Sequence, residues 1–396
     1  MVQPAKELGS RLTRVNIGPS HPAMHGCLRV QVDLRGETIV EAESEIGYLH
    51  RGFEKHAEES TYTQIIPYTD RLNYCSSMAN NVGYCRAVEK LLGIEIPERC
   101  IFIRVIACEL SRIIDHLVCV GTNLVDLGAL TNFWYSYNVR EKIYVLIEQM
   151  CGARLTTNYT RIGGVGWDLP ENFAENLQEV LKELDKALTD VSKLVLKNRI
   201  FLDRTKGIGI ISAEDAISYG FTGPCLRATG VNYDVRKVHP YYHYDHFDFD
   251  VPLGSEGDTF DRIVLRVEEM RQSARILQQA IVEIPEGPIS VKDPRVSLPP
   301  KEEVYHSIEG LMNHFMLVMT GIRPPPGEVY SMTEAPNGEL GFYIVSDGTG
   351  QPVRVRCRPP CFPIFAAYSE MIKGGMIADA IAIIGSLNIV VGELDR

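Results

Sequence analysis

The sequence contains no CxxC pair, although it has ten cysteines among its 396 residues. Zinc ions and iron–sulfur clusters are held by closely spaced thiolates, so this chain alone is not expected to bind either. The two nearest cysteines, Cys357 and Cys361, are separated by a segment with two prolines, which favours a turn over a metal site. Scattered cysteines in a chain of this length indicate free thiols in a reducing cytosol.

The sequence also lacks a long apolar run, an excess of basic residues and an apolar leader. The best candidate for a membrane span, residues 376–391, is short and contains Asp379, so no transmembrane segment is expected. Residues 1–10 are polar and lack the core of a signal peptide. A net charge of −11 argues against general nucleic-acid binding, which needs basic surface. The length predicts two or three domains, soluble or peripheral to a membrane.

Motifs for nucleotide binding and for serine hydrolases are missing as well. No Walker A loop and no Gly-x-Ser-x-Gly elbow occurs. The glycines at residues 163–166 and 207–209 superficially resemble dinucleotide loops. Neither group lies in a strand–turn–helix unit with a later ribose-binding acid, so no nucleotide site is expected.

The most unusual stretch that is present is residues 18–26, with the sequence GPSHPAMHG. His21 and His25 are four apart, but Pro22 between them and the terminal glycines exclude a regular helix. Residues before proline favour extended geometry, so the segment is predicted to be a shaped loop that presents two imidazoles. One interpretation is a rigid turn with local hydrogen bonds. The density of constrained residues favours the other, which is a working site.

Hydrophobic periodicity predicts a chain of the α+β class. An antiparallel N-terminal sheet is expected from a strand at residues 11–17 and a hairpin of strands at 28–34 and 38–42. A helical bundle is expected next, followed by a mixed region in which Asn337-Gly338 signals a hairpin turn. The first long helix of the bundle is expected to end near residue 92. Further helices are expected at 97–126, 136–150, 168–197, 258–284 and 301–320. A strand is expected at 206–211, a meander at 328–358, and an apolar helix and strand at 376–391.

The helix at residues 97–126 carries a polar stripe at spacings of three and four. Its flanks are apolar and the stripe has no lysine, so the helix is predicted to be buried with a polar seam inside the protein. Buried polar groups need partners or a wet cavity. The alternative is an ordinary solvated face. The stripe consists of Glu109, Arg112, His116, Cys119, Asn123 and Asp126.

Several segments, in order along the chain, resemble one family. They are residues 18–26, 47–55 (GYLHRGFEK), 109–117 (ELSRIIDHL), 161–164 (RIGG), 230–236 (GVNYDVR), 345–348 (VSDG) and 392–396 (GELDR). On these motifs the chain is similar to the D-type, or 49-kDa, subunits of proton-pumping NADH:quinone oxidoreductase (respiratory complex I). The resemblance implies a fold like that of the large subunit of nickel–iron hydrogenases. The expected parts are an N-terminal β-rich domain at residues 1–60, a central helical bundle at 61–200 and a mixed C-terminal region at 201–396.

The relation to hydrogenases provides a test between two chemistries. Hydrogenases hold their metal with two CxxC pairs, and the positions of the first pair correspond to Asn73 and Ser76. Cys75 lies between them and cannot replace the pair, and no second pair occurs in the sequence. A soft metal centre requires thiolates. The resemblance therefore implies that hydrogenase chemistry is absent and that the emptied site binds quinone.

The resemblance also assigns roles to particular residues. It places His25 and Tyr74 at the quinone headgroup as proton donors, with Asp126 as the partner of His25. A buried carboxylate there would orient the imidazole and favour its charged form. Thr122 and His21 are expected at the same pocket, although His21 is also expected to shape the loop.

The electron donor is expected to lie outside this chain. Arg71 corresponds to an arginine directed towards the terminal iron–sulfur cluster, which a partner subunit holds. The position at which many relatives carry a histidine before the RIGG motif corresponds to Thr156. We therefore expect the potential of that cluster to be lower, and less dependent on pH, than in relatives with the histidine.

The resemblance implies an enzyme subunit that is not active alone. Quinone would be the substrate, and the chain itself would bind no cofactor. NADH and flavin would bind elsewhere, and proton pumping would take place in membrane subunits. The expected location is peripheral, on the cytoplasmic side of the inner membrane, within a complex of peripheral-arm and membrane-arm subunits. One alternative is a related complex that takes electrons from ferredoxin or another donor, and a second is a scaffold without quinone chemistry.

The remaining histidines are predicted to have structural roles. His116 is expected to form a packing hydrogen bond between helices. His239, His243 and His246 surround an aromatic segment, which is predicted to be an exposed docking loop in preference to a metal site.

Overall fold

The computed structural model describes residues 12–396, so the polar segment 1–10 and the first residue of the predicted strand 11–17 lie outside it. The predicted N-terminal sheet is confirmed. Its strands are β1 (Thr13–Ile17), β2 (Arg29–Arg35) and β3 (Thr38–Glu45), paired antiparallel in the order β1-β2-β3. Val30 and Val32 of β2 are fully buried, while the intervening side chains are partly exposed. This alternation fixes which face of the sheet packs on the protein.

The helical bundle follows the sheet. The long central helix was predicted within a residue of both its ends, whereas the next two helices start elsewhere than expected. The helix predicted to begin at 136 starts at Leu130, and its first turns carry the aromatic cluster. The following helix starts at Phe173 instead of near Asp168, because the Asp168 carboxylate binds Arg99. The elements are α1 (Phe53–Glu58), α2 (Tyr62–Thr69), α3 (Ser77–Leu92), α4 (Glu98–Asp126), α5 (Leu130–Cys151), the small hairpin β4 (Thr160–Arg161) and β5 (Gly164–Val165), and α6 (Phe173–Val195).

The region after the bundle differs from prediction at two places. The strand expected at 206–211 is wrong, because Gly207 and Gly209 have φ of +71° and +62° and turn the chain. The helix expected at 301–320 is two helices, because Ser307 is extended (φ −128°, ψ 135°) and caps the second one. The helices are α7 (Arg199–Asp203), α8 (Ala213–Tyr219), α9 (Gly223–Arg227), α10 (Val235–Val238), α11 (Thr259–Glu283), α12 (Lys301–His306) and α13 (Ile308–Thr320).

The meander near the C-terminus is confirmed, with its first hairpin at the predicted place. Pro336 and Asn337 form the two-residue turn, and Gly338 opens the next strand. The strand expected before residue 391 is wrong. Asn388 adopts φ +56° and ends a helix, and a short helical turn follows. The elements are β6 (Gly327–Ala335), β7 (Gly338–Ser346), β8 (Arg354–Arg358), α14 (Cys361–Ala366), α15 (Tyr368–Ile372), α16 (Ile377–Leu387) and α17 (Val391–Asp395).

Distant parts of the chain share their hydrophobic cores. Val30 and Ile39 of the N-terminal sheet pack in one core with Leu387 and Val391 from the C-terminal helices. A second core joins α2 and α3 to the meander, where Tyr84 meets Phe342 edge-on at 5.7 Å between ring centroids. This packing brings the loop at 18–26 against the segment that follows α16. The division into three domains at residues 60 and 200 stays a prediction.

Among the helices of residues 12–396, none has both the length and the apolarity needed to cross a bilayer.

Candidate active site

The loop at residues 18–26 holds His25 in a constrained backbone conformation. Pro22–Met24 form a 3-10 turn, and the His21 Nδ1 accepts the Ala23 N–H at 3.2 Å, which caps that turn. His25 ends the turn at φ +56°, a region that non-glycine residues rarely occupy. Met24 is fully buried and anchors the loop. Strain of this kind persists only where the surroundings impose it, and it often marks a functional group.

His25 makes its principal contact with Asp126, 101 residues further along the chain. The His25 Nε2 lies 2.6 Å from the Asp126 Oδ2, and the two side chains are only 18% and 17% exposed. An ionised carboxylate can only accept a hydrogen bond, so His25 carries a hydrogen on Nε2. The neutral imidazole is then an acceptor at Nδ1, and donation from Nδ1 requires the imidazolium. Asp126 is the last residue of α4.

Tyr74 lies at the start of the short 3-10 turn Tyr74–Ser76 that leads into α3. The Asn73 Oδ1 accepts the Cys75 N–H at 3.1 Å and caps this turn. Burial raises the pKa of Tyr74 to about 12, so the phenol keeps its proton throughout the physiological range. Its side chain is nevertheless accessible enough to line a cavity.

His25, Tyr74, Thr122 and Asp126 line one open cavity of about 530 Å³. This volume lies in the range of small-molecule sites. The Thr122 hydroxyl donates to the Val118 carbonyl of its own helix at 2.8 Å, which leaves its oxygen free to accept. The other walls come from the loop, the 3-10 turn Tyr74–Ser76, α4, α5 and the segment after α16, and they include Pro22, Ala23, Cys75, Val118, Val125, Leu130, Phe133, Asn388, Ile389 and Val390.

A larger groove of about 930 Å³ lies between α5 and α6. Its polar lining consists of tyrosines and surface side chains such as Glu183 and Lys186, with no histidine. The smaller cavity is therefore the better candidate, because it alone of the two combines a histidine–carboxylate pair with apolar walls.

Two predicted site residues lie outside this cavity. His21 is not part of its lining and caps the loop turn instead. Arg71 is half exposed, donates from Nη1 to the Pro67 carbonyl at 2.6 Å, and lies 3.8 Å from the Asp70 carboxylate. Its backbone carbonyl accepts from the Arg51 guanidinium, which also binds the Gly392 carbonyl at 2.8 Å.

Asn73, which the resemblance aligned with a hydrogenase cysteine, forms amide hydrogen bonds in the structure. The Asn73 Nδ2 donates to one oxygen of Asp115 at 2.7 Å, and the Asn388 Nδ2 donates to the other at 2.5 Å.

Sequence reasoning missed Asn388 and its neighbours Ile389 and Val390, which line the cavity. No local pattern distinguishes the segment 388–390 from an ordinary apolar stretch.

The predicted buried seam on α4 is confirmed over most of its length. Glu109, Arg112, His116, Cys119 and Asn123 are fully or almost fully buried. The His116 Nε2 lies 2.9 Å from Glu269 of α11, which matches the expected hydrogen bond between helices. Burial lowers the pKa of His116 despite that carboxylate.

The prediction of an exposed aromatic docking loop near residue 243 is wrong. Tyr241, Tyr244 and Phe247 are buried and pack edge-on against one another. The hydroxyl of Tyr244 donates to Glu109 at 2.7 Å, and the hydroxyl of Tyr241 accepts the Glu334 N–H at 3.0 Å. Both tyrosine hydroxyls therefore have hydrogen-bond partners inside the protein. Within residues 12–396, no group of three or more His, Cys, Asp or Glu side chains is arranged to hold a metal ion.

Comparison with known proteins identifies the family of this chain. The family described as respiratory-chain NADH dehydrogenase, 49 Kd subunit, matches residues 126–396. The C/D-type subunit of the NADH-quinone oxidoreductase of Bdellovibrio bacteriovorus is 55% identical over 393 residues, which cover 99% of this chain and 70% of that protein. The D-type subunit of Myxococcus xanthus is 54% identical over 96% of this chain and 92% of its own length. A D-type subunit of Sorangium cellulosum is 53% identical over 98% of this chain and 97% of its own length. The chain therefore belongs to the family of the 49 kDa subunit of respiratory-chain NADH dehydrogenase.

Proposed function

We propose that this chain forms the quinone-reduction site of an NADH:quinone oxidoreductase, next to an iron–sulfur cluster of a partner subunit. One observation carries the proposal: His25, its partner Asp126, and Tyr74 line the same cavity, although they are far apart in sequence. The names of the most similar relatives agree with it, since each is called a subunit of NADH-quinone oxidoreductase.

The cavity suits a molecule with a polar head and an apolar body. Val118, Leu130 and Phe133 provide apolar surface on one side, and Ile389 and Val390 provide it on another. Small-molecule sites typically combine such walls with a few convergent polar groups. A quinone has two carbonyl oxygens, and each can accept a hydrogen bond from the site.

Reduction of a quinone to a quinol consumes two electrons and two protons, and forms two O–H bonds. The cluster of the partner subunit would supply the electrons. His25 supplies one proton from Nδ1 while its Nε2–H stays bonded to Asp126, whose negative charge stabilises the imidazolium before transfer. Tyr74 supplies the other from its hydroxyl, and its raised pKa means that only a strongly basic, reduced oxygen can take that proton.

The surroundings fit a peripheral subunit of a larger assembly. Arg71 has an exposed guanidinium three positions before Tyr74, which suits a place between the site and a neighbouring redox partner. We place the chain on the cytoplasmic side of the inner membrane. In this arrangement NADH and flavin bind to other subunits, and quinone reduction here is coupled to proton translocation in membrane subunits.

The proposal is tested by Tyr74→Phe and His25→Ala in the assembled complex. Loss of a positioned proton donor typically slows a reaction about 10²- to 10⁴-fold, so quinone reduction should fall by at least about 10²-fold in each variant. NADH oxidation with hexacyanoferrate as acceptor should stay unchanged.

The matched control is His243→Ala. This histidine is partly exposed, pairs with Glu98 at the protein surface and does not line the cavity, so both activities should stay normal. Wild-type quinone turnover in both Tyr74→Phe and His25→Ala would contradict the proposed site.

A further inference from the structure

Helix α13 has its hydrophobic face turned towards solvent. On the opposite face Gly310 is buried, and Asn313, Leu317 and Thr320 are partly buried against the protein. An ordinary surface helix shows the reverse arrangement, with its apolar stripe on the core. The exposed face carries large apolar side chains, each more than half exposed: Ile308, Leu311, Met312, Phe315, Val318 and Met319.

The helix is held firmly in this orientation. Ser307 caps it, with its Oγ accepting the Gly310 N–H at 3.1 Å. A Cβ at Gly310 would lie 2.7 Å from the Glu303 carbonyl, so α12 and α13 pack closely together. At the other end, Gly321 approaches Thr61, the residue that caps α2. The apolar face is therefore a preformed surface, and little ordering is needed when a partner binds.

The exposed residues have the spacing of a helix that docks in a groove. Positions 308, 311, 312, 315 and 319 follow the i, i+3, i+4, i+7 pattern of anchors. At 100° per residue, the apolar arc from 318 to 316 spans about 160°. A second helix packed along one line would leave much of that arc in water. A groove that encloses half of the helix would cover it.

Charge indicates the chemistry of the occupant. Residues 308–320 contain no lysine or arginine, whereas helices that lie on membranes carry basic residues to attract anionic lipids. Exposed carboxylates of Glu302, Glu303 and Glu309 surround the N-terminal end of α13. They would be repelled by an anionic membrane surface, and they complement basic side chains on a protein.

We propose that α13 inserts into an apolar groove of a neighbouring protein subunit, whose rim near Ser307 carries lysine or arginine. The three methionines in this face, Met312, Met316 and Met319, are flexible enough to fit an irregular groove. This inference rests on the proposed membership of a multisubunit oxidoreductase, and it concerns a surface separate from the quinone cavity.

The first test compares the accessibility of two introduced cysteines in the assembled complex, Met312→Cys and the control Val282→Cys. Val282 is 77% exposed at the end of α11 and lies outside the proposed surface. A hydrophilic maleimide should modify Met312→Cys at least tenfold more slowly in the intact complex than after dissociation. The control should change less than threefold. Equal rates before and after dissociation, or equal slowing at both positions, would overturn the proposal.

The second test places the photoreactive residue p-benzoylphenylalanine at position 315 in the assembled complex. Mass spectrometry should identify a peptide of a different subunit, rich in apolar side chains and flanked by lysine or arginine. Cross-links to lipid or to a second copy of this chain would overturn the proposal. Quinone turnover of the same samples separates the two ideas: a shielded helix without turnover contradicts only the proposed function, and turnover with an unshielded helix contradicts only the docking surface.

Discussion

The polar stripe on α4 passes through two different surroundings. At its N-terminal end, Glu109 accepts from Tyr244 at 2.7 Å and from Ser273 at 2.6 Å, and it forms ion pairs with Arg112 and Arg236. All of these groups are buried. At its C-terminal end, Asp126 has one hydrogen-bond partner among residues 12–396, His25, and both residues line an open cavity.

A structural polar group therefore differs from a working one in having all of its hydrogen-bonding capacity filled by other protein groups. Burial alone would raise the pKa of Glu109, but Arg112 and Arg236 outweigh it and hold the pKa below its usual value. This carboxylate is ionised and fully bonded, so it has nothing to offer a ligand. Within the described part of the chain, Asp126 has a second oxygen without a hydrogen-bond partner, and Nδ1 of His25 likewise has none, while both residues line the cavity.

Arg227→Ala, which breaks buried ion pairs next to the polar stripe, should have the largest effect. Arg227 binds Glu269 at 2.8 Å and Glu334 at 2.8 Å, all three fully buried. Burial raises the pKa of Glu269, but Arg227 and His116 outweigh it and lower that pKa to about 2. Removing the cation leaves buried Glu334 without its paired cation and leaves Glu269 with His116, so the free energy of unfolding should fall by about 3–5 kcal/mol. Urea denaturation of the subunit measures it.

The matched variant for this prediction is Arg275→Ala on the same helix as Glu269. Arg275 pairs with Asp248 and Asp250 at the surface, and such pairs contribute about 0–1 kcal/mol. Equal losses of stability in the two variants would contradict the distinction between saturated and exposed charges.

The next effect concerns the unsaturated end of the stripe, where Asp126→Asn should impair catalysis and leave folding intact. The amide can still accept the hydrogen bond from His25, but its lost charge no longer stabilises the imidazolium. Quinone turnover at pH 8 should fall about 10²-fold. Steady-state assays of quinone reduction measure this loss. Full turnover at pH 8 would refute the role of Asp126, and exposed Asp185→Asn on α6 is the control.

A third test concerns a group between the two categories. Glu393 is buried, its Oε1 accepts the Cys361 N–H at 3.1 Å, and its Oε2 has no partner within the described part of the protein. Burial raises the pKa of Glu393 to about 7, above its ordinary value near 4.5. Its contribution to stability is therefore complete below about pH 4.5 and is lost as the pH rises through about 7.

Glu393→Gln removes this ionisation while keeping the shape of the side chain. The variant should lie within about 1 kcal/mol of the wild type at pH 5 and exceed its free energy of unfolding by about 3 kcal/mol at pH 8. Urea denaturation at the two pH values measures the difference. A stability difference between the proteins that does not change with pH would contradict the assignment.

Local patterns predicted much of the fold because they depend on residues close in sequence. Alternation in residues 28–34 was sufficient for β2, and the apolar face of 97–126 was sufficient for α4. The errors occurred where a side chain or backbone had a competing option. Asp168 binds Arg99 instead of capping a helix, and the glycines at 207 and 209 take positive φ in a segment whose apolar residues suggested a strand.

Residue patterns alone predict the types of most elements, the constrained loop around His25, and the family to which its motifs belong. The resemblance to that family implied the pairing of His25 with Asp126, but the folded chain is needed to show that the two side chains meet, that Asn388 lies at the same cavity, and that His21 does not. These relations depend on which cores form between segments hundreds of residues apart, as when the C-terminal helices pack on the N-terminal sheet. Helix and strand patterns report which face of an element is apolar, but they carry no information about which distant element will cover it.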